Sequence, residues 1–246
     1  MSVLIRMWDR FARLAAWRRR WARSAARRGD PVWRAVVHGL AHDLRVPPTD
    51  MLALAGLYRA GALAGPAFTA QVVAHAREAL NRVDELGCLI EEAVHSYCRE
   101  PINLAALVAG CVDAAWSAAD EAGVILHCQA LPTVAWVEGD ARMLEMAVTR
   151  LLARAILNSS PGAAVHLRIG ISGRACSVEV ATAAASPDEV VAALTRSRPA
   201  GMFVRRVMRC HRGKLTLGKE RGAAIWRLVL PQSKKAPEGA FLPLDR

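Results

Sequence analysis

The run His42-Asp43-Leu44-Arg45-Val46-Pro47 sets an imidazole beside a carboxylate. An imidazole is largely uncharged near neutral pH, so it can act as a nucleophile or carry a phosphoryl group if it is presented to a partner. Asp43 can accept a hydrogen bond from one ring nitrogen and leave the other free to attack, with Arg45 supporting the same turn. Pro47 removes a backbone donor one turn later and should bend a helix there. Other combinations offer less. His38 and His42 form H-x-x-x-H, but Gly39 stands where a zinc protease needs glutamate and no third ligand is evident, so no metal is expected. His75, His95, His127, His166 and His211 have no partner identifiable from sequence. Arg150 and Arg154, one helical turn apart, either attract a phosphate or form an ordinary helix-face charge pair. The chain contains neither a P-loop nor a Ser-His-Asp set with workable spacing.

The elements that must position His42 are helical. Trp33, Val37, Leu40, Leu44, Pro47, Met51, Leu54 and Tyr58 alternate four and three apart, the seam of a coiled coil or bundle. On that heptad His42 falls at f, away from the bundle interior. A turn at Gly61 to Pro66 follows. A second seam then runs through Val72, Ala76, Ala79, Val83, Leu86, Ile90, Ala93 and Tyr97. Two helices of about thirty residues joined by a short loop make an antiparallel hairpin with apolar surface left over. Two copies forming a four-helix bundle would cover it, so a homodimer is expected. Beyond residue 100 the period changes. Helices are predicted over 104–121, from an Asp140 cap to about 158, and over 202–210. Strands are predicted over 124–129, 165–169, 176–180, 214–217 and 224–230. The fold class is therefore α+β: a helical hairpin, then helices covering one mixed sheet in a two-layer α/β sandwich. The boundaries are an arm over 1–30, the hairpin over 31–99, the α/β unit over 100–231 and a tail over 232–246.

The His42 segment resembles the H-box of bacterial sensor histidine kinases, H-[ED]-L-R-T-P. Arg99-Glu-Pro-Ile-Asn-Leu104 is similar to the entry of the kinase catalytic domain, and Glu138-Gly-Asp140-Ala-Arg-Met-Leu144 to the approach to its N-box. Gly222 through Pro231 is similar to its last strand. The resemblance covers residues 31–231. It implies a dimerisation and histidine phosphotransfer hairpin followed by a Bergerat-type ATPase fold. It also exposes three departures. The N-box N-L-L-x-N-A, whose second asparagine lends an oxygen to magnesium, reads Arg150-Leu-Leu-Ala-Arg154-Ala155, and arginine offers no acceptor. The box D-x-G-x-G, whose carboxylate meets the adenine amino group, reads Ala181-Thr-Ala183-Ala-Ala185, and alanine disfavours the positive φ open to glycine. The last glycine-rich box keeps only Gly201. The resemblance thus implies a phosphoacceptor at His42, but no cofactor is expected because ATP and magnesium would not be held productively. Val46 stands where the family often has threonine or asparagine to position water, so phosphatase activity is not expected.

The chain of 246 residues carries +11 at pH 7, with 53% hydrophobic and 22% charged residues, a globular composition and not a disordered one. Ten arginines against two aspartates within residues 1–34 give a local charge of +8, leaving +3 for everything after. Charge confined in this way describes an appendage that could meet nucleic acid or an anionic lipid surface, not a binding face on the folded unit. Six scattered cysteines without a C-x-x-C form no disulfide or zinc framework. No apolar run approaches the roughly 20 residues of a membrane span, and a cytoplasmic protein is expected. The functional expectation is a phosphorelay protein that exchanges a phosphoryl group between His42 and a response-regulator receiver aspartate. An upstream histidine kinase is a further partner. It would be a histidine phosphotransferase, not an ATP-dependent kinase. The alternatives are a pseudo-histidine kinase that sequesters a response regulator or another kinase, and a kinase with residual activity.

Overall fold

The structure is a computed structural model that describes residues 31–129, 135–183, 194, 198–220 and 222–233, with side chains from Leu44 onward. It divides into two compact units between Asp84 and Glu85. The arm over 1–30 and most of the tail lie outside the described residues.

The first unit holds α1 (Pro31–Arg59) and the start of α2 (Gly65–Val94). Along α1 the seam positions Pro47 and Leu54 are buried and Leu44 and Met51 half-buried, as the heptad requires, whereas Tyr58 is exposed and the side chains of Trp33, Val37 and Leu40 lie outside the described residues. Gly61, at φ 73°, makes the turn. The ring of Tyr58 stacks on Phe68, with centroids 4.7 Å apart, which closes the hairpin end. His75 lies 3.8 Å from Asp50 on the facing helix. Apolar surface remains outside the seam: Leu52 is 75% exposed, and Val73 and Leu80 are also exposed. The helix continues through two consecutive prolines, Pro47 and Pro48. Neither has an N–H, so the carbonyls of Asp43 and Leu44 receive no helical hydrogen bond. Just beyond, the Thr49 hydroxyl donates to the Arg45 carbonyl at 2.8 Å.

The second unit opens with the end of α2. It continues through β1 (Glu100–Asn103), α3 (Leu104–Glu121), β2 (Ile125–Cys128), β3 (Trp136–Gly139), α4 (Ala141–Leu157), β4 (Ala164–Ser172) and β5 (Ala175–Ala183). α5 (Pro199–Cys210), β6 (Lys214–Glu220) and β7 (Ala223–Pro231) complete it. Five strands form a mixed sheet in the order β2-β4-β5-β7-β6, with only β2 and β4 parallel. Strands β1 and β3 pair separately as a small antiparallel ribbon that the sequence reading did not anticipate. Gly173 at φ 59° and Gly222 at φ 81° serve the two hairpin turns. Helices α3, α4 and α5 cover one face of the sheet. Leu144, Ala147, Val148, Leu151, Leu152 and Ala155 form the buried stripe of α4 against Val165, Leu167, Val178, Val180, Trp226 and Leu228. Pro199, at the first helical position, starts α5 three residues before the expected 202.

Asp140 organises the approach to α4. Its Oδ1 accepts from the Met143 N–H at 3.1 Å as the expected N-cap. Its Oδ2 takes the Cys98 N–H at 3.0 Å and lies 2.7 Å from His95 Nε2. These contacts pull the chain out of helical conformation, so α2 stops at Val94 and Tyr97, the last expected seam residue, lies in the linker. There its ring sits edge-on to both His95 and His211. Burial, with the Glu92 carboxylate second, pushes the Tyr97 phenol well above its ordinary pKa. His211 is buried with Nδ1 2.7 Å from the Val207 carbonyl, while its Nε2 accepts the Asp140 N–H at 2.8 Å. Only the neutral ring protonated on Nδ1 satisfies both contacts. Gly139 permits this packing, since a Cβ there would sit 2.4 Å from His211 Cδ2.

Burial is the main reason the His211 pKa falls below 6.5. Below about that value the unfolded chain binds a proton that the folded chain refuses, and stability drops. Burial alone would raise the Asp140 carboxyl, but the bonds from His95, Cys98 and Met143 outweigh it and hold the pKa below 3.8. The stability Asp140 contributes is present above that value and lost as pH falls through the lower folded pKa. Urea denaturation across pH should therefore show two acid-side declines, and His211→Gln should remove the upper one while leaving the lower.

Candidate functional site

His42 and Asp43 lie on the continuous backbone of α1, and their side chains, like that of His38, lie outside the described residues. The rest of the H-box is described: Arg45 and Val46 are exposed and Pro47 is buried. An α-helix advances 100° per residue, so Arg45, three positions after His42, shares its side of the helix, while the buried Pro47 lies well away from it.

The three sequence departures fall in the second unit, and the structure gives them separate fates. Arg154, near the end of α4, is 7% exposed and forms an ion pair through Nε with Glu85 on α2, itself 1% exposed. An arginine on this stripe reads from sequence as one half of a helix-face charge pair with Arg150. Instead it is part of the core, matched to a carboxylate 69 residues earlier. Glu85 was not singled out from sequence. The signal was present, since Glu85, Cys88, Leu89 and Glu92 are spaced for a second stripe on α2, offset from the seam, and all four are buried. Glu92 in turn pairs with Arg206 Nε at 2.6 Å. Arg150 is half-buried, and its Nε has no hydrogen-bond partner among the described residues.

On β5 the alternation decides which residue meets the helical layer. Val178, Val180 and Thr182 point inward and are fully or almost fully buried. Thr182 Oγ1 lies 2.7 Å from Ser159 Oγ, just past the end of α4, and that hydroxyl is also 2.7 Å from the Ala155 carbonyl. Ala181 points the other way, beside His166 on the open face. Ala183, the last residue of β5, is exposed, and Ala185 lies outside the described residues. Thr182 is thus the inward-facing residue at this strand end, while Ala181 faces the open side. Counting in steps of two from Val178 would have found it. Gly201 is buried in the first turn of α5.

These residues do not fit magnesium and ATP. Magnesium takes oxygen ligands in octahedral geometry. A guanidinium has no lone pair to offer and carries a permanent positive charge that repels the ion. Thr182 provides a hydroxyl already engaged with Ser159 where an ionised acceptor would be required. Among the described residues no group of three or more His, Cys, Asp or Glu side chains is arranged to hold a metal, and no described helix is long and apolar enough to cross a membrane.

Removing one partner of a buried pair leaves the other desolvated without compensation, at a cost of about 3–5 kcal/mol. Arg154→Ala should lower stability by about that much, and Glu85→Gln by less, because the amide keeps the side-chain volume and its carbonyl still accepts a hydrogen bond from the guanidinium. In a double-mutant cycle by urea denaturation the combined loss should fall clearly short of the sum of the single losses.

No protein-family model and no curated protein sequence matches this chain. Solved structures do. The histidine kinase AdeS of Acinetobacter baumannii superposes with a TM-score of 0.53 at 16% identity, over 77% of this chain and 97% of that one. The histidine kinase ThkA, in its complex with the response regulator TrrA, superposes with a TM-score of 0.60 at 13% identity, over 87% of this chain and 64% of that one. A nucleotide-free catalytic domain of ThkA gives 0.50 at 12% identity, over 55% and 98%. At such identities the likeness is one of fold.

Proposed function

We propose that the chain acts in two-component signalling as a histidine phosphotransfer protein, exchanging a phosphoryl group between His42 and a receiver aspartate without drawing on ATP. The observation that carries this reading is the buried Arg154–Glu85 pair. At the position where the histidine kinase resemblance requires an oxygen ligand for magnesium, this chain has a cation, neutralised by its own carboxylate. A hairpin helix that keeps its H-box, joined to a kinase-like sandwich that cannot hold the metal, has a use for His42 only if phosphate arrives from another protein. The neighbour solved with a response regulator supports a receiver as that protein. The exposed Leu52, Val73 and Leu80 support pairing of two hairpins into a four-helix bundle.

In this reading the lone pair of one His42 ring nitrogen attacks the phosphorus of the receiver's aspartyl phosphate. The N–P bond forms as the P–O bond to the aspartate breaks, and that carboxylate leaves with the electron pair. The other ring nitrogen keeps its proton, hydrogen-bonded to Asp43, whose charge offsets the developing imidazolium. The reverse step passes the group on. In-line attack needs the ring nitrogen free and the acyl phosphate held by the receiver, which brings its own metal. Val46, exposed and without a hydrogen-bonding group, gives water no anchor for hydrolysing the receiver's aspartyl phosphate, which favours transfer over phosphatase action.

Incubation with a phosphorylated receiver should label the full chain, with the acid-labile, base-stable behaviour of phosphohistidine, and His42→Ala should abolish the label. Binding of the receiver without any label would favour a sequestering pseudokinase instead. Magnesium with ATP should leave the melting temperature unchanged, and a clear upward shift would overturn the ATP-independent reading.

A further inference from the structure

Five histidines have described side chains, and three of them are engaged: His75 with Asp50, His95 with Asp140, and His211 with two backbone groups. The other two face each other. Strands β2 and β4 run parallel with His127 directly opposite His166. Their flanking residues Leu126, Val165 and Leu167 are buried toward the helices, so both imidazoles stand on the open face of the sheet, and both are exposed. The rings stack 5.1 Å apart and within 15° of parallel. Neither makes a hydrogen bond to another described residue. They line a groove of about 590 Å³ together with Arg168, Glu179 and Glu220. In that groove Glu179 is already held by Arg168 Nη2 at 2.8 Å and by Arg227 Nε at 2.8 Å, so it neither competes for the imidazoles nor adds a free charge beside them.

We propose that His127 and His166 form a two-imidazole chelate for a divalent first-row transition cation, with Cu²⁺ the tightest and Ni²⁺ and Zn²⁺ weaker. A metal at about 2.0–2.1 Å from each of two imidazole nitrogens needs them roughly 3.3 Å apart in tetrahedral geometry and roughly 2.9 Å apart as cis ligands in the tetragonal geometry of Cu²⁺. The rings are stacked at 5.1 Å and near-parallel, so both exposed imidazoles must swing toward one another through χ1 and χ2, the latter a broad torsion, to place two nitrogens on one ion. The ladder fixes the two Cα atoms opposite each other, so the second ligand comes without the entropy of bringing two distant chains together. Imidazole suits copper, nickel and zinc, and the order of affinity follows the general rise toward Cu²⁺. No third protein ligand joins them among the described residues, so water fills the remaining positions and the ion stays exchangeable.

The test is titration of the full chain with Cu²⁺, followed by calorimetry and electron paramagnetic resonance. One equivalent should bind with the hyperfine pattern of two imidazole nitrogens. His127→Ala and His166→Ala should each weaken binding by roughly a hundredfold, the scale of a lost tethered ligand, while leaving the melting temperature of the metal-free protein unchanged. His75→Ala, in the other unit, should leave the affinity as it was. Parental affinity in both single variants, or a spectrum with fewer than two imidazole nitrogens, would overturn the site.

Discussion

A charged carboxylate at 1% exposure needs a compensating partner, and for Glu85 that partner is Arg154. Much else follows from it. The pair fixes the last turns of α2 against α4, so the helix that begins in the hairpin unit ends as part of the second unit's core. It also commits Arg154 on α4 to a structural task. An ion pair of this kind contributes less to net stability than to uniqueness of packing, because apolar residues of equal volume could fill the same space.

The second anchor lies at the other end of α4. One side chain, Asp140, caps the helix, holds the linker through the Cys98 N–H and meets His95, while its own N–H is held by His211. Two ends of one helix thus gather the chain from α2, the linker and α5. The sandwich is held to its entry segment by directional polar contacts at both points, with the apolar stripe of α4 between them. The burial of these groups makes the arrangement sensitive to acid, since both His211 and Asp140 must hold one protonation state to keep their partners.

The sequence disclosed long periodic elements well and short or coupled features poorly. The helices α1 and α2, the Asp140 cap, and the alternation of β4, β5 and β7 rest on local patterns, and the structure shows them, with seam positions such as Pro47, Leu54 and Leu86 buried. The β1–β3 ribbon has four residues per strand and a proline in Glu100-Pro101, too little to register a period of two. The Glu85–Arg154 pair spans 69 residues and has no local signature beyond an offset stripe on α2. That Thr182 and not Ala181 faces the helices follows from the pleat of the strand, which fixes which side chain can point inward. His42 is legible in sequence by its motif alone, and the backbone of α1 adds that it stands on uninterrupted helix.

The paired prolines in α1 have a mechanical consequence. Ordinarily a helix resists bending because opening one side stretches its main-chain hydrogen bonds. At Pro47 and Pro48 two successive bonds are absent from the start, so flexing there sacrifices none of them and is opposed only by side-chain packing. The turn bearing His42 lies immediately before this compliant joint, and a docking protein could tilt it at little energetic expense.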